Sequence, residues 1–573
     1  MKNAVVVQVL VVILLLTGGI FLIGYGQTGK HVQPPVHVTI LAINDFHGHL
    51  YGGQQLNNRT AGSAPVLASH LNYAKQTTNA SSVILALLGD TVGASPRNTS
   101  LLFDEPTILF FNSFAVTECT AGNNSHQNNC DLIAVPGNHE FNRGTDELLR
   151  MTYGGNGNIT ISRIADPYPG SLADTICANV VWKENNTPIL PPYTIRTVEG
   201  VPVAFIGAVT LETPVLELPM NIERVEFLNE SETINRYVTL LQGQGIHAFV
   251  VLLHEGGNQE PYEGPTRSGG NITGPVASIA ASLNPDVDIV LSAHKHDFTN
   301  AYLKNSGGND VLVTQAFAYG VAYADVDIWI DRKSGDIIEK SAVIVPVYAN
   351  GADNGNTDPT TETLVKEIDA AVGRMDAEVI ATTESPITRR SYLSGGSALG
   401  NLVADSQRAA MGADVAFVTT GSGAGSLHAD ISRGIITWKD LEAVLPSDAS
   451  MAAEYGGWYS RPRVATRELT GDQIRKILER QWEEPEPAGE LSVSGLEYTW
   501  DSTRPAGNRI TTILVNGIPV DLNATYSGAM NYYMAYGMGD YAPVWKSGMN
   551  VTIGPADINA LVTYIRSRPA RWT

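Results

Sequence analysis

The sequence is poor in cysteine and in positive charge. Its 573 residues include only three cysteines, too few for the thiolate cluster of a typical structural zinc site. Lysine and arginine together number 37 against 58 aspartates and glutamates, which gives a formal net charge of −21. A surface of this sign lacks the positive patch that binds nucleic-acid polymers. We therefore expect no nucleic-acid polymer among the partners of this chain.

The three cysteines divide into a pair and a single residue. Cys119 and Cys130 flank the polar insert TAGNNSHQNN, and we expect a disulfide between them, which requires an oxidising compartment. Cys177 lies in the apolar run TICANVVW and is expected to be a buried side chain rather than a reactive thiol.

One long apolar run lies near the start of the sequence. From Ala4 to Ile23 only Gln8 is strongly polar, which is typical of a secretory signal peptide or an N-terminal membrane anchor. A cleaved signal is the favoured interpretation, and a retained anchor that tethers the chain to a membrane is the alternative. Ten N-x-Ser/Thr sequons also indicate the secretory route and a secreted or cell-surface glycoprotein. They begin at Asn58, Asn79, Asn98, Asn123, Asn158, Asn185, Asn229, Asn271, Asn523 and Asn550.

Short β-branched runs follow from Val36 onward and predict the buried strands of a layered α/β domain. They are HVTILAIND, SVILALLGD, CDLIAVPGN, VPVAFIGAV, HAFVVLLHE, VDIVLSAHK and DVLVTQAFA. Several of them lead directly into Asp, Asn or His. Because sites in α/β folds collect at the carboxyl ends of strands, these polar residues are candidates for a common site.

A change of composition after Tyr348 predicts a domain boundary. The stretch ANGADNGNTDPTTE is a polar linker, and the charged amphipathic stretch from Thr363 to Val379 predicts a connecting helix. We divide the chain into a signal or anchor segment (1–35), a first domain (36–347), a linker with connecting helix (348–380) and a second domain (381–573).

Five fragments at the predicted strand ends carry residues that bind metals: NDFHGHL, LLGD, GNHE, LLHEGG and SAHKH. Each alone is uninformative, since a single Asp or His after a strand is common, but the set predicts a metal site. Carboxylates and neutral imidazoles suit zinc, manganese, iron or cobalt. Two metal ions about 3.5–4 Å apart need a bridging ligand, and the carboxylate of Asp90 is the candidate.

The order of these fragments resembles that of the calcineurin-like metallophosphoesterases, and the continuation into a second domain resembles the 5′-nucleotidase family. The resemblance covers almost everything from Val36 onward. It implies an α/β fold in which a four-layer α/β/β/α sandwich precedes an α+β substrate domain. It also implies two divalent metal ions, zinc first, with manganese, cobalt or iron as alternatives.

The resemblance also implies a role for each residue of the site. Asp45, His47, Asp90 and His296 would hold one metal ion, and Asp90, Asn138, His254 and His294 would hold the other. His139 would be the unligated histidine that stabilises the phosphoryl transition state or protonates the leaving group.

One residue departs from the family pattern inside the site. The family usually has an aspartate three residues after the catalytic histidine, where this sequence has Asn142. An amide can orient an imidazole but cannot stabilise its positive form as a carboxylate does. We therefore expect His139 to be less basic, and turnover to be slower or shifted in pH.

The second domain resembles the 5′-nucleotidase C-terminal domain in ALGNLVADS, GADVAF, GIITWKDLEAVLP and RPAGNRI. Its substrate residues match less well. Gly423 and His428, in GAGSLH, replace the asparagine and arginine of nucleotide-cleaving members, and Ser447 replaces a stacking phenylalanine. Tyr533 keeps the second stacking aromatic, although it could instead pack a domain interface, and Asp540 lies near the sugar-binding position.

These residues favour an extracellular dimetal phosphoesterase that hydrolyses a nucleotide phosphate by attack of a hydroxide held between the metals. One alternative keeps this chemistry on a nucleotide sugar, a cyclic phosphodiester or a non-nucleotide substrate. The other is a catalytically weak surface binding protein, which Asn142 and the missing arginines favour and the full ligand set opposes.

Overall fold

A computed structural model describes residues 33–121, 129–157, 164–349, 357–391, 396–419, 426–446, 462–483, 490–537, 551–568 and 571–572. Most of the predicted signal or anchor segment, Asp540, Gly423 and Ser447 lie outside these ranges. Within them, no helix combines the length and the apolar character needed to cross a membrane.

Two β-sheets face each other in the N-terminal part of the chain. From edge to edge the first contains Ile337–Pro346, Ala322–Ile330, Val36–Ile43, Ser82–Leu87, Leu132–Ala134 and Asp174–Thr175. The second contains Arg267–Ser268, Phe298–Lys304, Asp310–Ala316, Val287–Ser292, Ala248–His254, Val201–Val209 and Tyr193–Val198. The central strands of each sheet run parallel, so their carboxyl ends meet at one edge.

Helices cover the outer face of each sheet because the strands are apolar on both faces. On Val36–Ile43, Val38 and Ile40 pack between the sheets, whereas Leu41 and Ile43 pack under helices. The helices on the first sheet are Ala64–Thr77, Glu105–Asn112 and Pro359–Asp376. Those on the second are Glu230–Gln242 and Pro275–Ser282. The expected four-layer α/β/β/α sandwich is confirmed, and so are all seven predicted strands.

Short elements connect these layers. The helical ones are Arg97–Ser100, His139–Phe141, Thr145–Tyr153, Thr213–Leu216 and Pro219–Asn221, of which the second and last are 3-10 turns. The remaining strands form two small hairpin-like pairs, Gln54–Leu56 with Arg59–Ala61 and Val180–Trp182 with Val225–Phe227.

The predicted connecting helix exists, but its bounds were wrong. It runs from Pro359 to Asp376, because the side chain of Asp358 caps its first turn by accepting from the backbone N–H of Thr361. Val379 belongs instead to the strand Val379–Thr383. The helix also packs on the first sheet through Ile368 and Val372, so it is part of the sandwich as well as a connection.

The C-terminal part is built on a five-stranded sheet, in agreement with the expected α+β domain. Its order is Leu491–Ser494, Val415–Thr419, Thr525–Asn531, Arg463–Thr470 and Val551–Ala556. The helices Ala398–Met411 and Asp557–Arg566 contribute to the core on one face, and Gly471–Glu479 to the core on the other. The remaining elements are the helices Trp438–Val444, Tyr532–Ala535 and Arg480–Trp482 (a 3-10 turn) and the strands Gly434–Thr437, Leu496–Trp500, Ile510–Val515, Ile518–Pro519 and Arg571–Trp572.

Within the described residues, the two parts make contact through ion pairs of Arg97 and through an apolar cluster. Nε of Arg97, in the sandwich, donates to Oε2 of Glu442 in the C-terminal part at 2.6 Å, while Nη2 of the same arginine donates to Oδ1 of Asp376 on a helix of the sandwich at 2.6 Å. On the other side, Leu218 of the sandwich is 6% exposed and belongs to the same buried cluster as Phe417 and Tyr533. The second contact matters for the site described below.

The cysteine predictions are confirmed. Cys119 and Cys130 form a disulfide, and Cys177 is a free, buried thiol. Burial raises the pKa of the Cys177 thiol to about 12, so it is inert at neutral pH.

Candidate active site

The five predicted fragments converge at one edge of the sandwich. Three of them follow Val36–Ile43, Ser82–Leu87 and Leu132–Ala134 in the first sheet. The other two lie at the ends of Ala248–His254 and Val287–Ser292 in the second sheet. Both sheets therefore contribute side chains to the same site.

Most of the candidate ligands adopt a left-handed backbone conformation. The φ angles are 50° at Asp45, 48° at His47, 48° at Asp90, 75° at His294 and 53° at His296. For residues other than glycine this region costs about 1–3 kcal/mol and persists where the surroundings fix it, commonly at functional sites. In D-x-H and H-x-H, this left-handed conformation turns alternate side chains away from the strand direction and towards the same point.

One group of four side chains lies at this point. The ligand atoms of Asp45, His47, Asp90 and His296 all lie within 4.8 Å of one another. Nε2 of His47 is 3.1 Å from Nε2 of His296 and 3.6 Å from Oδ2 of Asp90. These are the four residues expected at the first metal ion.

A second group shares Asp90 with the first. Its members are Asp90, His254 and His294, again with ligand atoms within 4.8 Å of one another. Oδ2 of Asp90 lies 3.2 Å from Nε2 of His254, which in turn lies 3.3 Å from Oδ1 of Asn138. The same carboxylate oxygen thus faces both groups, as a bridging ligand must, and the seven predicted ligands lie together.

Hydrogen bonds fix the orientation of these ligands. Nδ1 of His254 lies 2.8 Å from the carbonyl oxygen of Leu88, and Nδ1 of His47 lies 2.8 Å from that of Gly93. Because a carbonyl oxygen can only accept, each Nδ1 carries the hydrogen, and Nε2 is the ring atom that faces the site and can bind a metal ion. Oδ1 of Asp90 accepts from the backbone N–H of His139 at 2.9 Å, which leaves Oδ2 for the two groups.

The chemistry of the donors fits divalent metal ions. Asp45 and Asp90 are 0% and 1% exposed, and within the described residues neither pairs with a lysine or arginine. Burying two carboxylates without a cation is costly. Burial lowers the pKa of His294 to about 3 and that of His296 to about 4, so both imidazoles are neutral ligands at neutral pH.

His139 lies beside the ligands without joining either group. Its ring packs edge-on against that of His47, with centroids 4.9 Å apart. Its Nδ1 lies 2.8 Å from Oδ1 of Asn142, as expected from the sequence. The structure adds a partner that the sequence analysis missed, because Nδ2 of Asn142 donates to Oε1 of Glu217 at 2.7 Å.

Other supporting residues also escaped the sequence analysis. Asn44 donates from Nδ2 to Oδ2 of Asp45 at 2.8 Å and accepts from the backbone N–H of Ala316 at 2.9 Å. Glu140 accepts from the backbone N–H groups of Asp90 and Thr91 at 2.9 and 2.8 Å. Asn44 lies in the fragment NDFHGHL and Glu140 in the fragment GNHE, so each is close in sequence to predicted ligands. That closeness could have identified both as supporting residues. Glu217 lies in no such fragment.

Two of the residues predicted to bind substrate, Tyr533 and His428, lie in the described part of the second domain, whereas Asp540 lies outside it. Tyr533 is 7% exposed and packs in the buried cluster that includes Leu218, so in this arrangement its ring is not open to a base. His428 is exposed, and its backbone N–H donates to the carbonyl oxygen of Val444. Close by, Arg389 donates from Nη1 to the carbonyl oxygen of Leu427 at 3.0 Å.

Two family models match the chain. The model described as calcineurin-like phosphoesterase matches residues 38–298, and the model described as 5′-nucleotidase, C-terminal domain, matches residues 377–546.

Relatives with names of several kinds align with nearly the whole chain. Endonuclease YhcR of Bacillus subtilis is 31% identical, over 95% of this chain but 41% of that protein. Cell wall protein Lmo0130 of Listeria monocytogenes is 29% identical, over 95% of this chain and 69% of that protein. The snake venom 5′-nucleotidase of Naja atra is 24% identical, over 92% of this chain and 96% of that protein. The chain therefore spans less than half of the first of these relatives.

A solved structure agrees on the fold. The NAD nucleotidase of Haemophilus influenzae superimposes with a TM-score of 0.50 at 18% identity, covering 94% of this chain and 98% of that chain. This likeness extends over both parts of the molecule.

Proposed function

The chain belongs to the 5′-nucleotidase family, in which a calcineurin-like phosphoesterase domain precedes a 5′-nucleotidase C-terminal domain, and we propose that it hydrolyses the phosphate ester of a nucleotide. Members of this family are metal-dependent phosphoric ester hydrolases, which confirms the expected enzyme class. The proposal concerns the substrate, the metal ligands and the location.

A single observation carries the proposal. Oδ2 of Asp90 lies within 3.6 Å of Nε2 of His47 and within 3.2 Å of Nε2 of His254, so one buried carboxylate oxygen faces imidazoles of both groups. Two adjacent sites with a shared carboxylate are an arrangement suited to in-line phosphoryl displacement.

We assign the ligands as the sequence suggested. Asp45, His47, Asp90 and His296 hold one ion, and Asp90, Asn138, His254 and His294 hold the other. Oxygen and imidazole donors without thiolate suit zinc, with manganese, cobalt or iron as alternatives. When bound, such ions lower the pKa of water and neutralise phosphoryl oxygens.

The protein itself supplies the orientation of His139. Its Nδ1 is held by the amide oxygen of Asn142, so this nitrogen carries the hydrogen and Nε2 is left to face the substrate. In that orientation Nε2 can donate to a phosphoryl oxygen or to the leaving oxygen when the ring is protonated.

A nucleotide is the favoured substrate because both family domains are present and the Naja atra relative is named a 5′-nucleotidase. Phosphodiester hydrolysis is the second candidate. It is favoured by the closed position of Tyr533, which offers no stacking face to a base in this arrangement, and by the name of the Bacillus subtilis relative. The net charge of −21 argues against a polymeric substrate.

We also propose that the protein acts outside the cytosol. The disulfide between Cys119 and Cys130 requires an oxidising compartment. The names of two relatives, a cell wall protein and a venom enzyme, agree with export, as do the apolar leader and the sequons.

Hydrolysis of a substrate panel tests this proposal. The purified protein, supplied with Zn²⁺ or Mn²⁺, would be assayed on AMP, UDP-glucose, a 2′,3′-cyclic nucleotide, an aryl phosphate and a short DNA duplex. Asp90→Ala is the inactive variant. Asp325→Asn, which removes a half-buried carboxylate from the same sheet away from the site, is the matched control.

Each outcome has a definite meaning. Metal-dependent turnover that is highest on AMP, lost in Asp90→Ala and kept in Asp325→Asn supports the proposed nucleotidase. Higher turnover on the cyclic nucleotide or on DNA supports phosphodiester hydrolysis instead. Metal binding without turnover of any of the five substrates would leave a surface binding protein.

A further inference from the structure

Glu217 occupies an unusual position for a carboxyl group with no metal or cationic partner in the described residues. It is 4% exposed and lies 75 positions along the chain from Asn142, between the helix Thr213–Leu216 and the 3-10 turn Pro219–Asn221. Its Oε1 accepts from Nδ2 of Asn142 at 2.7 Å, and its Oε2 lies 3.5 Å from Nδ2 of Asn221. Two amide groups therefore point their N–H donors at this one carboxyl group.

We propose that Glu217 is a positioning residue for the catalytic histidine, and that it acts through Asn142 by fixing which end of that amide faces His139. The inference rests on the proposed function, since it concerns the histidine of that site. It assigns to Glu217 and Asn142 together the task that the usual aspartate performs alone.

The amide of Asn142 can adopt two orientations. The two ends of an asparagine side chain have similar shapes but opposite hydrogen-bonding roles, since the NH₂ group donates and the oxygen accepts. Glu217 offers Asn142 an acceptor oxygen whether or not its carboxyl group is protonated, and in the structure the NH₂ end of Asn142 faces Oε1. The oxygen of Asn142 is then turned towards Nδ1 of His139, at 2.8 Å.

The orientation of the amide decides the state of the imidazole. An amide oxygen only accepts, so Nδ1 of His139 must carry a hydrogen. If the amide were reversed, its NH₂ group would face Nδ1, and the hydrogen of the neutral ring would move to Nε2. A protonated ring would then have two donors pointing at each other. Glu217 thereby favours the Nδ1–H form and permits the protonated form that can donate from Nε2.

The surroundings hold Glu217 in place from two sides. Asn221 donates from Nδ2 to the backbone oxygen of Asn142 at 2.8 Å, which ties the segment to the turn that carries His139. The neighbouring residue Leu218 is 6% exposed and packs in the cluster of the second domain that includes Phe417 and Tyr533. The position of Glu217 therefore depends on the contact between the two parts of the chain as well as on the sandwich.

Four variants test the proposal. Glu217→Ala removes the acceptor and frees the amide of Asn142, and we expect kcat to fall on the order of 10- to 100-fold with KM nearly unchanged. Glu217→Gln keeps an oxygen that can accept from Asn142 and should recover most of the loss. Asn142→Asp combined with Glu217→Gln gives His139 a direct carboxylate partner that the glutamine amide can hold, so it should also be active. Glu230→Ala removes another buried glutamate, one whose Oε1 accepts from the backbone N–H of Leu211, and serves as the matched control.

A second measurement does not depend on turnover. The ¹⁵N spectrum of the histidine rings, with His139 assigned by its absence in His139→Gln, reports which ring nitrogen carries the hydrogen. We expect Nδ1–H at His139 in the unmodified protein and in Glu217→Gln, and a shift of the hydrogen towards Nε2 in Glu217→Ala. Glu230→Ala should leave this signal unchanged.

The two measurements separate the possible failures. Suppose that the unmodified protein hydrolyses no phosphoester, but that His139 has a different tautomer in Glu217→Ala than in the unmodified protein. The proposed function then fails, and the positioning role stands. If Glu217→Ala keeps both the kcat and the tautomer of the unmodified protein, the positioning role is wrong. Loss of stability alone, equal to that of Glu230→Ala, would also overturn it.

Discussion

Gly89 lies directly against the ring of His254. A Cβ atom at this glycine would stand 2.5 Å from Nδ1 of His254, and the φ angle of Gly89 is +85°. Position 89, in the LLGD fragment, therefore requires glycine for two reasons. Its backbone adopts a left-handed conformation, and it approaches a candidate metal ligand closely.

We predict that Gly89→Ala displaces His254 and weakens metal binding by about tenfold or more, the effect expected when the support of a ligand is lost. Left-handed alanine also costs about 1–2 kcal/mol in stability. Isothermal titration with Zn²⁺ and thermal unfolding measure the two effects separately.

Gly200→Ala is the matched control for this variant. Gly200 has a φ angle of +86°, but a Cβ atom at this glycine would meet no other atom within 4 Å. It should lose similar stability while keeping its zinc affinity. Equal affinities in the two variants would show that the contact with His254 does not matter.

The second prediction concerns pH. Burial raises the pKa of Glu217 from its ordinary value of 4.5 to about 8. The unfolded chain releases this proton near pH 4.5 and the folded chain near pH 8, so the folded state loses stability as pH rises across that window. Glu217→Gln removes this dependence.

Thermal unfolding at several pH values checks the prediction. Relative to the unmodified protein, the Tm of Glu217→Gln should rise by at least about 2–4 °C between about pH 5 and pH 8.5, which corresponds to about 1 kcal/mol. Glu226→Gln, at an exposed position, should show no such trend. A constant difference in Tm across this range would contradict the assigned burial of the carboxyl group.

The third prediction concerns the disulfide. It joins residues 11 positions apart, and opening a loop of this length costs about 2–3 kcal/mol by restoring freedom to the unfolded chain. Cys119→Ser with Cys130→Ser should therefore lower the Tm by roughly 4–12 °C.

Activity and zinc affinity should be unchanged in this double variant. Cys130 precedes the strand Leu132–Ala134, whereas Asn138 and His139 follow its other end. Cys177→Ser is the control, because this thiol forms no disulfide. A large loss of zinc affinity on opening the disulfide would show that the loop supports the site.

Local patterns in the sequence predicted a layered α/β domain with a metal site at its strand ends, and the family resemblance implied the four-layer sandwich and the two ligand sets. The strands appear as β-branched runs, and Asp45, Asp90 and His254 directly follow or end such runs. Parallel strands bring their carboxyl ends together, so these residues could be expected to meet.

The sequence did not reveal Glu217, because its role depends on a contact between distant segments. Nothing in LETPVLELPMN distinguishes the second glutamate from the first, yet Glu217 is 4% exposed whereas the side chain of Glu212 is 52% exposed. For Tyr533 the sequence left a stacking role and packing at a domain interface open, and in this arrangement it packs with Leu218 from the other part of the chain. The bounds of the connecting helix were missed because Asp358 caps it earlier than the amphipathic pattern suggests.

The central claim is a pair of metal sites that share Asp90, and anomalous X-ray scattering from crystals soaked in Zn²⁺ tests it most directly. The account predicts two zinc peaks per chain, one beside His47 and His296 and one beside His254 and His294, with the carboxylate of Asp90 touching both. Asp90→Ala should lose at least one of the peaks. A single peak that Asp90 does not contact, or no peak at these histidines, would contradict the account.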